Sequence, residues 1–570
     1  MSGAVFAAVL GVLVALGAGI SGGKAAAESI PQRPNIIVIQ TDDQTVQQLR
    51  VMKNTRRLLG KQGATFQRQY VNWPICCPSR ATLLTGQYAH NHGVLGNLTP
   101  AGGYPAFDNK NTTAVWLQAR GYTTAHVGKF MNHYGATVKK TGNAVPPGWD
   151  EWYTAPGSPV YNYPLNQNGR WVKYGAKRRD FKQDVLTRRA VQLIGEHIGA
   201  GGPLYLQLDY TAPHAGGPDP MPQPPFHRCL RSAKPAPRHA KAFRGAPLPR
   251  PPSFNEADVS DKPKLIRRLP RMSSSTIKDL TRRHRCRLAS LLAVDEGVVK
   301  VARALRAEGV LERTFVIFTS DNGLFTGEHR LVQGKSLVYE PASRVPLLMR
   351  GPGVPAGVNV RDLTINADIA ATVAEISGAR PTHELDGRSL LPVVQHPWVE
   401  TGRELLIETD RYDAIRTDRY LWVEHNTGER ELYDLHKDPH QLESRHRPND
   451  NPPYPMVGRR LEERLAALRN CVGETCRIPV ALAVEVSGEQ DPEGCSQPPV
   501  TVGLAGDDVR EVDELVVFVD GQRAGSDTDN PFEVRLEREQ LGSGAVTLRV
   551  RASLIDGRRV GWERKLQVCP

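Results

Sequence analysis

Four apolar, β-branched runs recur along the first two thirds of the chain, separated by stretches with helical spacing. They are Asn35–Gln40, Tyr122–Val127, Pro203–Leu208 and Thr314–Thr319. Runs that are apolar throughout, rather than alternating, fit strands buried on both faces of a mostly parallel sheet. Leu288–Glu308 has the spacing of an amphipathic helix directly before the fourth run. Shorter pieces then predict a small antiparallel sheet between about Leu405 and Asp438: Asp413–Thr417, Tyr420–Glu424 and Glu431–Tyr433. A helix over about Val457–Arg469 follows. Beyond Val480 the pattern is all-β, with Leu515–Gly521, Phe532–Leu536 and Val546–Ala552 separated by turn signals. It predicts an Ig-like sandwich over 480–570.

Each of the four long runs leads into polar residues. The first leads into Thr41-Asp42-Asp43, the second into Gly128-Lys129, the third into Ala212-Pro213-His214 and the fourth into Ser320-Asp321-Asn322-Gly323. Ligands of open α/β sheets bind beyond the carboxyl ends of the strands. Four such ends carrying acids, an amide, a lysine and a histidine predict one assembled site. The duller alternatives are that Asp42-Asp43 caps a helix, that Lys335 is a surface lysine and that His214 is a capped loop histidine.

Length and charge narrow the class. The 570 residues suggest two to four domains, and a net charge of +13 favours anionic partners. No dense Lys/Arg tract interleaved with aromatics and no zinc-finger spacing is present, so nucleic acid is not the expected partner. Ala4–Ile20 is apolar but short for a bilayer and is followed by Ala25-Ala26-Ala27, which predicts an export signal over 1–27 and a secreted protein; the competing reading is an uncleaved anchor. No other stretch suits a membrane span. Export makes disulfides available to the eight cysteines. Cys471 with Cys476, Cys495 with Cys569, and Cys229 with Cys286 are the expected pairs. Cys76 and Cys77 remain, and neighbours in sequence bond to each other only with strain. Residues 216–285, rich in Pro, Arg and Lys, are expected to form a long excursion, either a wall of a substrate cleft or a solvated basic loop.

The leftover cysteines stand in Cys76-Cys77-Pro78-Ser79-Arg80-Ala81-Thr82-Leu83-Leu84-Thr85-Gly86. Proline is tolerated in a first helical turn, so Cys76 is expected at a helix N-terminus, where free N–H groups and the macrodipole favour an anion. Arg80, one turn on, reaches back over the same place. This stretch resembles the sulfatase signature C-x-P-S-R…T-G. Its second cysteine resembles the glucosamine-6-sulfatases and extracellular heparan sulfate sulfatases. Pro34–Gln44, Gly128-Lys129-Phe130-Met131-Asn132, Ala212-Pro213-His214, Asp321-Asn322-Gly323, Gly327-Glu328-His329, Gly334-Lys335, Tyr339-Glu340 with Arg344-Val345-Pro346, Glu431–Leu435 and Asp438-Pro439 resemble further motifs of that family, in order.

The resemblance, which covers 34 to about 440, implies an alkaline-phosphatase-like α/β fold over 34–379 and a small α/β subdomain over 380–476, with the β module beyond its reach. It implies that a separate formylglycine-generating enzyme oxidises Cys76 to formylglycine. One hydroxyl of the hydrated aldehyde attacks sulfur, and the second later expels sulfate, which a plain Ser or Cys could not do. Asp42, Asp43, Asp321 and Asn322 offer only oxygen, which selects Ca²⁺ or Mg²⁺, with the Cys76 hydroxyl joining the metal. Lys129 and Lys335 suit the oxygens of a sulfate, and His214 suits a donor to sulfate or to the leaving alcohol. The implied substrate is a sulfated saccharide or aryl sulfate, for instance a 6-O-sulfated N-acetylglucosamine unit. Met131 stands where many arylsulfatases carry the histidine of Lys-x-His, leaving that role vacant or open to Asn132, His133 or His329. The rivals are a phosphomonoester or phosphonate ester hydrolase on the same fold and a non-catalytic glycan-binding protein.

Overall fold

The computed structural model describes residues 33–141, 145–216, 229, 231–446 and 456–570. The expected leader over 1–27 lies outside the described residues. The main sheet has ten strands: β1 Asn35–Thr41, β2 Ala64–Phe66, β3 Thr123–Gly128, β4 Glu151–Thr154, β5 Tyr163–Gln167, β6 Arg170–Tyr174, β7 Leu204–Asp209, β8 Thr314–Ser320, β9 Leu347–Arg350 and β10 Val358–Val360. Their order is β10-β2-β9-β8-β1-β7-β3-β4-β5-β6. The centre, β8-β1-β7-β3-β4, is parallel throughout. These central strands include the four apolar runs, and every residue of β1, β7 and β8 is buried.

Both faces are covered, which is why the runs do not alternate. Ile36 and Val38 share one core with Ala81 and Leu84 of α1 (Cys76–Thr85) and with Ile369 and Val373 of α4 (Ala367–Ser377). Ile37 and Ile39 face the other core, built on Val185, Leu186 and Leu193 of α2 (Lys182–Ile198) and Leu291, Val294 and Val298 of α3 (Ser274–Ala307). The helix predicted to begin at Leu288 begins at Ser274, capped by Ser273 accepting from the Thr276 amide at 3.2 Å. The expected excursion over 216–285 therefore ends in helix, and its apolar signal is masked because His284, Cys286 and Arg287 occupy buried positions there. Among the described residues no helix is long and apolar enough to cross a membrane.

The small antiparallel sheet is β11 Leu405–Glu408, β12 Tyr412–Arg416, β13 Tyr420–His425 and β14 Arg430–Asp434, in that order, with α5 (Met456–Leu468) against it. The final module has strands β15 Ala483–Gln490, β16 Ser496–Ala505, β17 Val512–Val519, β18 Gln522–Asp527, β19 Glu533–Leu536, β20 Gly544–Leu554 and β21 Arg559–Val568. β16 pairs with β15 and β19, and β21, β20, β17 and β18 pair in that order; the two groups share one apolar core. β16 joins β21 through the single parallel pair Ser496–Val568, beside the Cys495–Cys569 disulfide. All three expected disulfides are formed, and Cys76 and Cys77 are free and buried. The module docks on the rest of the chain through backbone bonds from Gly402 N to Arg559 O (2.8 Å) and from Gly561 N to Glu400 O (2.8 Å).

Candidate active site

The carboxyl ends of β1, β3, β7 and β8 meet the N-terminus of α1. Ile75 is extended and Cys76 opens the helix; Gly86, in the left-handed conformation at φ 72°, closes it. Cys76 is 2% exposed. Its Sγ accepts from Lys335 Nζ at 2.9 Å and Lys129 Nζ at 3.3 Å, and lies 3.6 Å from Asp42 Oδ1. Lys129 also pairs with Asp42, and Lys335 with Asp43. Asn322 donates to Asp43 Oδ1 at 2.7 Å, and its own Oδ1 lies 3.5 Å from Lys335 Nζ. The Asp43 amide donates to Asp321 Oδ1 at 3.1 Å. Arg80 places Nε 2.9 Å from Asp321 Oδ2 and donates to the Lys129 carbonyl at 2.9 Å. His214 lies at the opening, with Nε2 3.8 Å from Asp43 Oδ2 and Nδ1 2.7 Å from the Ala215 carbonyl. All nine side chains singled out in the sequence thus stand in one cluster.

Buried charge of this density survives only when paired. Burial pushes Asp42 up, but Lys129, His214, Arg80 and Lys335 outweigh it and hold the carboxyl well below the usual range. Asp43 is likewise lowered, against burial, by Lys335 and His214. Asp321 goes the other way, raised by burial and by Asp42. Lys129 and Lys335 are raised by their carboxylates although burial opposes it. Burial pushes the Cys76 thiol up to about 12 despite the two lysines. The unmodified thiol is therefore neutral here and a weak nucleophile.

The structure reports on the metal set in more detail. Asp42, Asp43, Cys76 and His214 present ligand atoms within 4.8 Å of one another. Asp321 and Asn322 reach the same place but are engaged by Arg80, the Asp43 amide and Lys335. The donors are three carboxylates and an amide, with one histidine at the rim. Those oxygens suit a hard divalent cation, and Cys76 Sγ and the His214 ring add one sulfur and one nitrogen to the group.

The candidates for the missing Lys-x-His histidine lie elsewhere. Met131 is buried in the core. The Asn132 amide donates to Cys77 Sγ at 3.2 Å. His329 Nδ1 is 2.6 Å from Glu256 Oε2, its ring against Tyr339 at 4.4 Å.

Sequence reasoning missed a supporting layer. Arg287 is buried on α3 and donates to the carbonyls of Asp43 and Pro213 (2.9 Å to the latter) and to Gln48 Oε1 at 3.1 Å. It holds Asp43 in a left-handed conformation (φ 68°) that costs a non-glycine residue about 1–3 kcal/mol. Behind Arg80, Asp209 Oδ2 lies 3.5 Å from its NH1 and 3.1 Å from His126 Nε2. His126 Nδ1 is 2.7 Å from Thr154 Oγ1, and burial keeps this ring's pKa low. The available signal was a carboxylate and a histidine inside otherwise apolar strands.

The sheet, with a nucleophile helix, acids and lysines at its strand ends, defines a hydrolase of the alkaline-phosphatase-like fold. The sulfatase family model matches residues 34–379, and an N-sulphoglucosamine sulphohydrolase C-terminal model matches 327–471. The chain belongs to the sulfatase family. It is 31% identical to the N-acetylglucosamine-6-sulfatase of Capra hircus over 499 residues, 79% of this chain and 85% of that protein. It is 36% identical to a Sulf-1 homologue of Caenorhabditis elegans over 414 residues, 69% of this chain, and spans only 55% of that relative's length. A solved structure in complex with its substrate D-glucosamine-2-N,6-O-disulfate shares the fold, with TM-score 0.60 and 22% identity over 76% of this chain and 97% of that one. The phosphonate monoester hydrolase of Agrobacterium radiobacter shares it too, with TM-score 0.56 and 21% identity over 82% and 100%.

Proposed function

We propose that the chain is a secreted hydrolase of sulfate esters, acting on a 6-O-sulfated glucosamine-type sugar through Cys76 modified to formylglycine. The observation that carries this reading is the Cys76 side chain at the α1 N-terminus, touched at once by Lys129 and Lys335 and facing Asp42. Formylglycine supplies a hydroxyl to attack sulfur and a second to release sulfate. Asp42, Asp43, Asp321 and Asn322 would hold calcium, which supplies polarisation of a sulfate oxygen and a lowered pKa at the attacking hydroxyl. The remaining work belongs to the chain itself. Lys129 and Lys335, fixed by Asp42 and Asp43, present ammonium groups to the sulfate oxygens where charge grows in the transition state. Arg80, held by Asp321 and Asp209, keeps positive charge under the α1 N-terminus. His214, nearest the opening, donates a proton to the departing alcohol. Residues 34–379 form the catalytic domain, 380–476 complete the cleft, and 480–570 are an appended module.

The C. hircus relative, an N-acetylglucosamine-6-sulfatase that this chain matches over 85% of its length, supports the glucosamine reading. The test is sulfate release from 4-nitrophenyl sulfate and from 6-O-sulfated N-acetylglucosamine, beside phosphate and phosphonate ester counterparts, with the mass of the Cys76 peptide measured in parallel. Turnover of sulfate esters, lost on Cys76→Ala and accompanied by the aldehyde mass, is expected. Faster turnover of the phosphorus esters, or full activity in the thiol form, overturns the reading.

A further inference from the structure

The turn that carries the nucleophile is capped from outside its own segment. A helix leaves its first amides without partners inside the helix. In α1 the first helical bond runs from the Ser79 amide to the Ile75 carbonyl at 3.1 Å, and Pro78 has no N–H. Cys76 and Cys77 are then the helical residues whose amides need a partner. The usual remedy is a Ser, Thr, Asp or Asn at the N-cap; Ile75 stands there instead and accepts nothing through its side chain. The Cys77 amide donates 20 positions along the chain, to Asn97 Oδ1 at 2.8 Å. Among the described residues the Cys76 amide has no hydrogen-bond partner.

Asn97 is itself held in place. It is half-buried in a loop over 94–103 that closes on itself, the Leu95 amide donating to the Ala101 carbonyl at 2.7 Å and the Gly103 amide to the Gly96 carbonyl at 3.0 Å. The loop is also tied to the segment after Lys129. The Tyr104 amide donates to the Asn132 carbonyl at 2.9 Å, and a Cβ on Gly103 (φ 70°) would meet that carbonyl at 3.0 Å and the His133 ring at 3.1 Å. The Asn132 amide in turn donates to Cys77 Sγ at 3.2 Å. One carboxamide thus links the nucleophile turn, through this loop, to the strand end that presents Lys129. Its neutrality matters as well. An aspartate would cap more strongly, because the macrodipole favours a carboxylate at a helix N-terminus and the bond becomes charge-assisted. That charge would sit against the amide next to Cys76, where an anionic ester has to lie. Asparagine accepts the same bond without it.

Resting on the sulfate-ester reading above, we infer that Asn97 is a positioning residue of the reaction, a remote and necessarily uncharged cap of the nucleophile turn. Its oxygen fixes the Cys77 amide and with it the direction in which the Cys76 side chain leaves the helix. Its lack of charge leaves the field at the α1 N-terminus free for the sulfate. The two roles come apart on substitution, because alanine removes the bond and aspartate keeps the bond while adding the charge.

The test compares wild type with Asn97→Ala and Asn97→Asp. Each is assayed on 4-nitrophenyl sulfate, with rates expressed per matured Cys76 from the peptide mass and with inorganic sulfate as the competing ligand; melting temperatures are read alongside. Asn97→Ala loses the cap, so it should melt about 2 °C lower and lose about tenfold in kcat, with sulfate inhibition within about twofold of wild type. Asn97→Asp keeps the cap, so it should melt at or above wild type, yet lose about tenfold or more in kcat/KM and need about tenfold more sulfate for half-inhibition. A cap with a merely structural role gives the opposite, an aspartate variant as active as it is stable. That result, or an alanine variant with wild-type kcat, overturns the inference and leaves the sulfatase reading intact. Should wild type hydrolyse no sulfate ester, that reading fails, and the inference is then decided by calorimetric titration of sulfate: equal affinity in wild type and Asn97→Asp overturns it, and weaker binding to Asn97→Asp upholds it.

Discussion

Replacing Lys335 by Met keeps most of the aliphatic stem and removes the ammonium that sits 2.9 Å from Cys76 Sγ. That group is the nearest cation to the nucleophile's reacting atom, and its side chain is only 15% exposed. Two unit charges 4 Å apart at an effective dielectric constant near 20 interact by about 4 kcal/mol. Deleting a single donor aimed at developing negative charge has cost about 2.7–4 kcal/mol in comparable hydrolytic sites, a factor of about 10²–10³ in kcat. Lys129, at 3.3 Å on the other side, remains and shields part of the loss, so the lower figure applies. Lys335→Met should therefore lower kcat for 4-nitrophenyl sulfate about 100-fold, read from the initial rate of nitrophenol release at saturating ester. The Cys76 peptide mass should match wild type, which separates lost catalysis from lost maturation. A variant within fivefold of wild type, correctly matured, would show that Lys335 neutralises Asp43 and does nothing for the substrate.

Chelation should abolish turnover and added calcium restore it; Asp43→Asn should need more calcium for half-maximal rate, and a chelator-resistant enzyme would refute the oxygen-donor assignment. His90 is held against Glu408 at 3.0 Å, and although burial lowers its pKa, that carboxylate lifts it to about 9. A pKa raised from the unfolded value of about 6.5 means the contribution is complete below pH 6.5 and gone above pH 9. His90→Gln should cost about 1.5–3 kcal/mol at pH 6, as for a hydrogen bond to a charged group, and little at pH 9.5, so melting curves of both proteins should converge as pH rises. Removing the Cys495–Cys569 disulfide, which spans 74 positions, should weaken the module by about 4 kcal/mol, seen as earlier cleavage of 480–570 in limited proteolysis. Cys77→Ala should be active but less stable, because it loses both core packing and the bond from the Asn132 amide.

The strand framework was legible because the central strands are apolar on both faces and their polar ends are few. Six of the nine site residues were legible for the same reason, because Asp42, Asp43, Lys129, His214, Asp321 and Asn322 are polar groups that follow apolar runs; Cys76, Arg80 and Lys335 were read from their motifs instead. The first turns of α3 were not, because Ile277 and Leu280 are the only aliphatic residues on their inner face and the buried positions that follow are His284, Cys286 and Arg287, which break the apolar period. Arg287 acts through backbone carbonyls of residues 244 and 74 positions away, which no local pattern encodes. Asp209 and His126 were passed over as strand interior, although each is a polar residue in an apolar run. The β5–β6 hairpin had a clear marker that went unread: Asn168-Gly169, both at positive φ, is the two-residue turn that matches strand twist. The single pair joining the module's strands depends on residues 72 positions apart and leaves no trace in the local sequence.

The bonds between Glu400–Gly402 and Arg559–Gly561 bear on how the chain can be divided. β21 pairs with β20 along one side, and its first residues would otherwise present unpaired amides and carbonyls on the other. The segment at 400–402 covers them. Cut free, the module would show a bare β edge of the kind that templates aggregation, and the remainder would lose the partner of Thr401, whose hydroxyl bonds Asp362. A shortened form ending near residue 476 would thus be less soluble at both halves of the break, and engineering for expression should treat residues 34–570 as one piece.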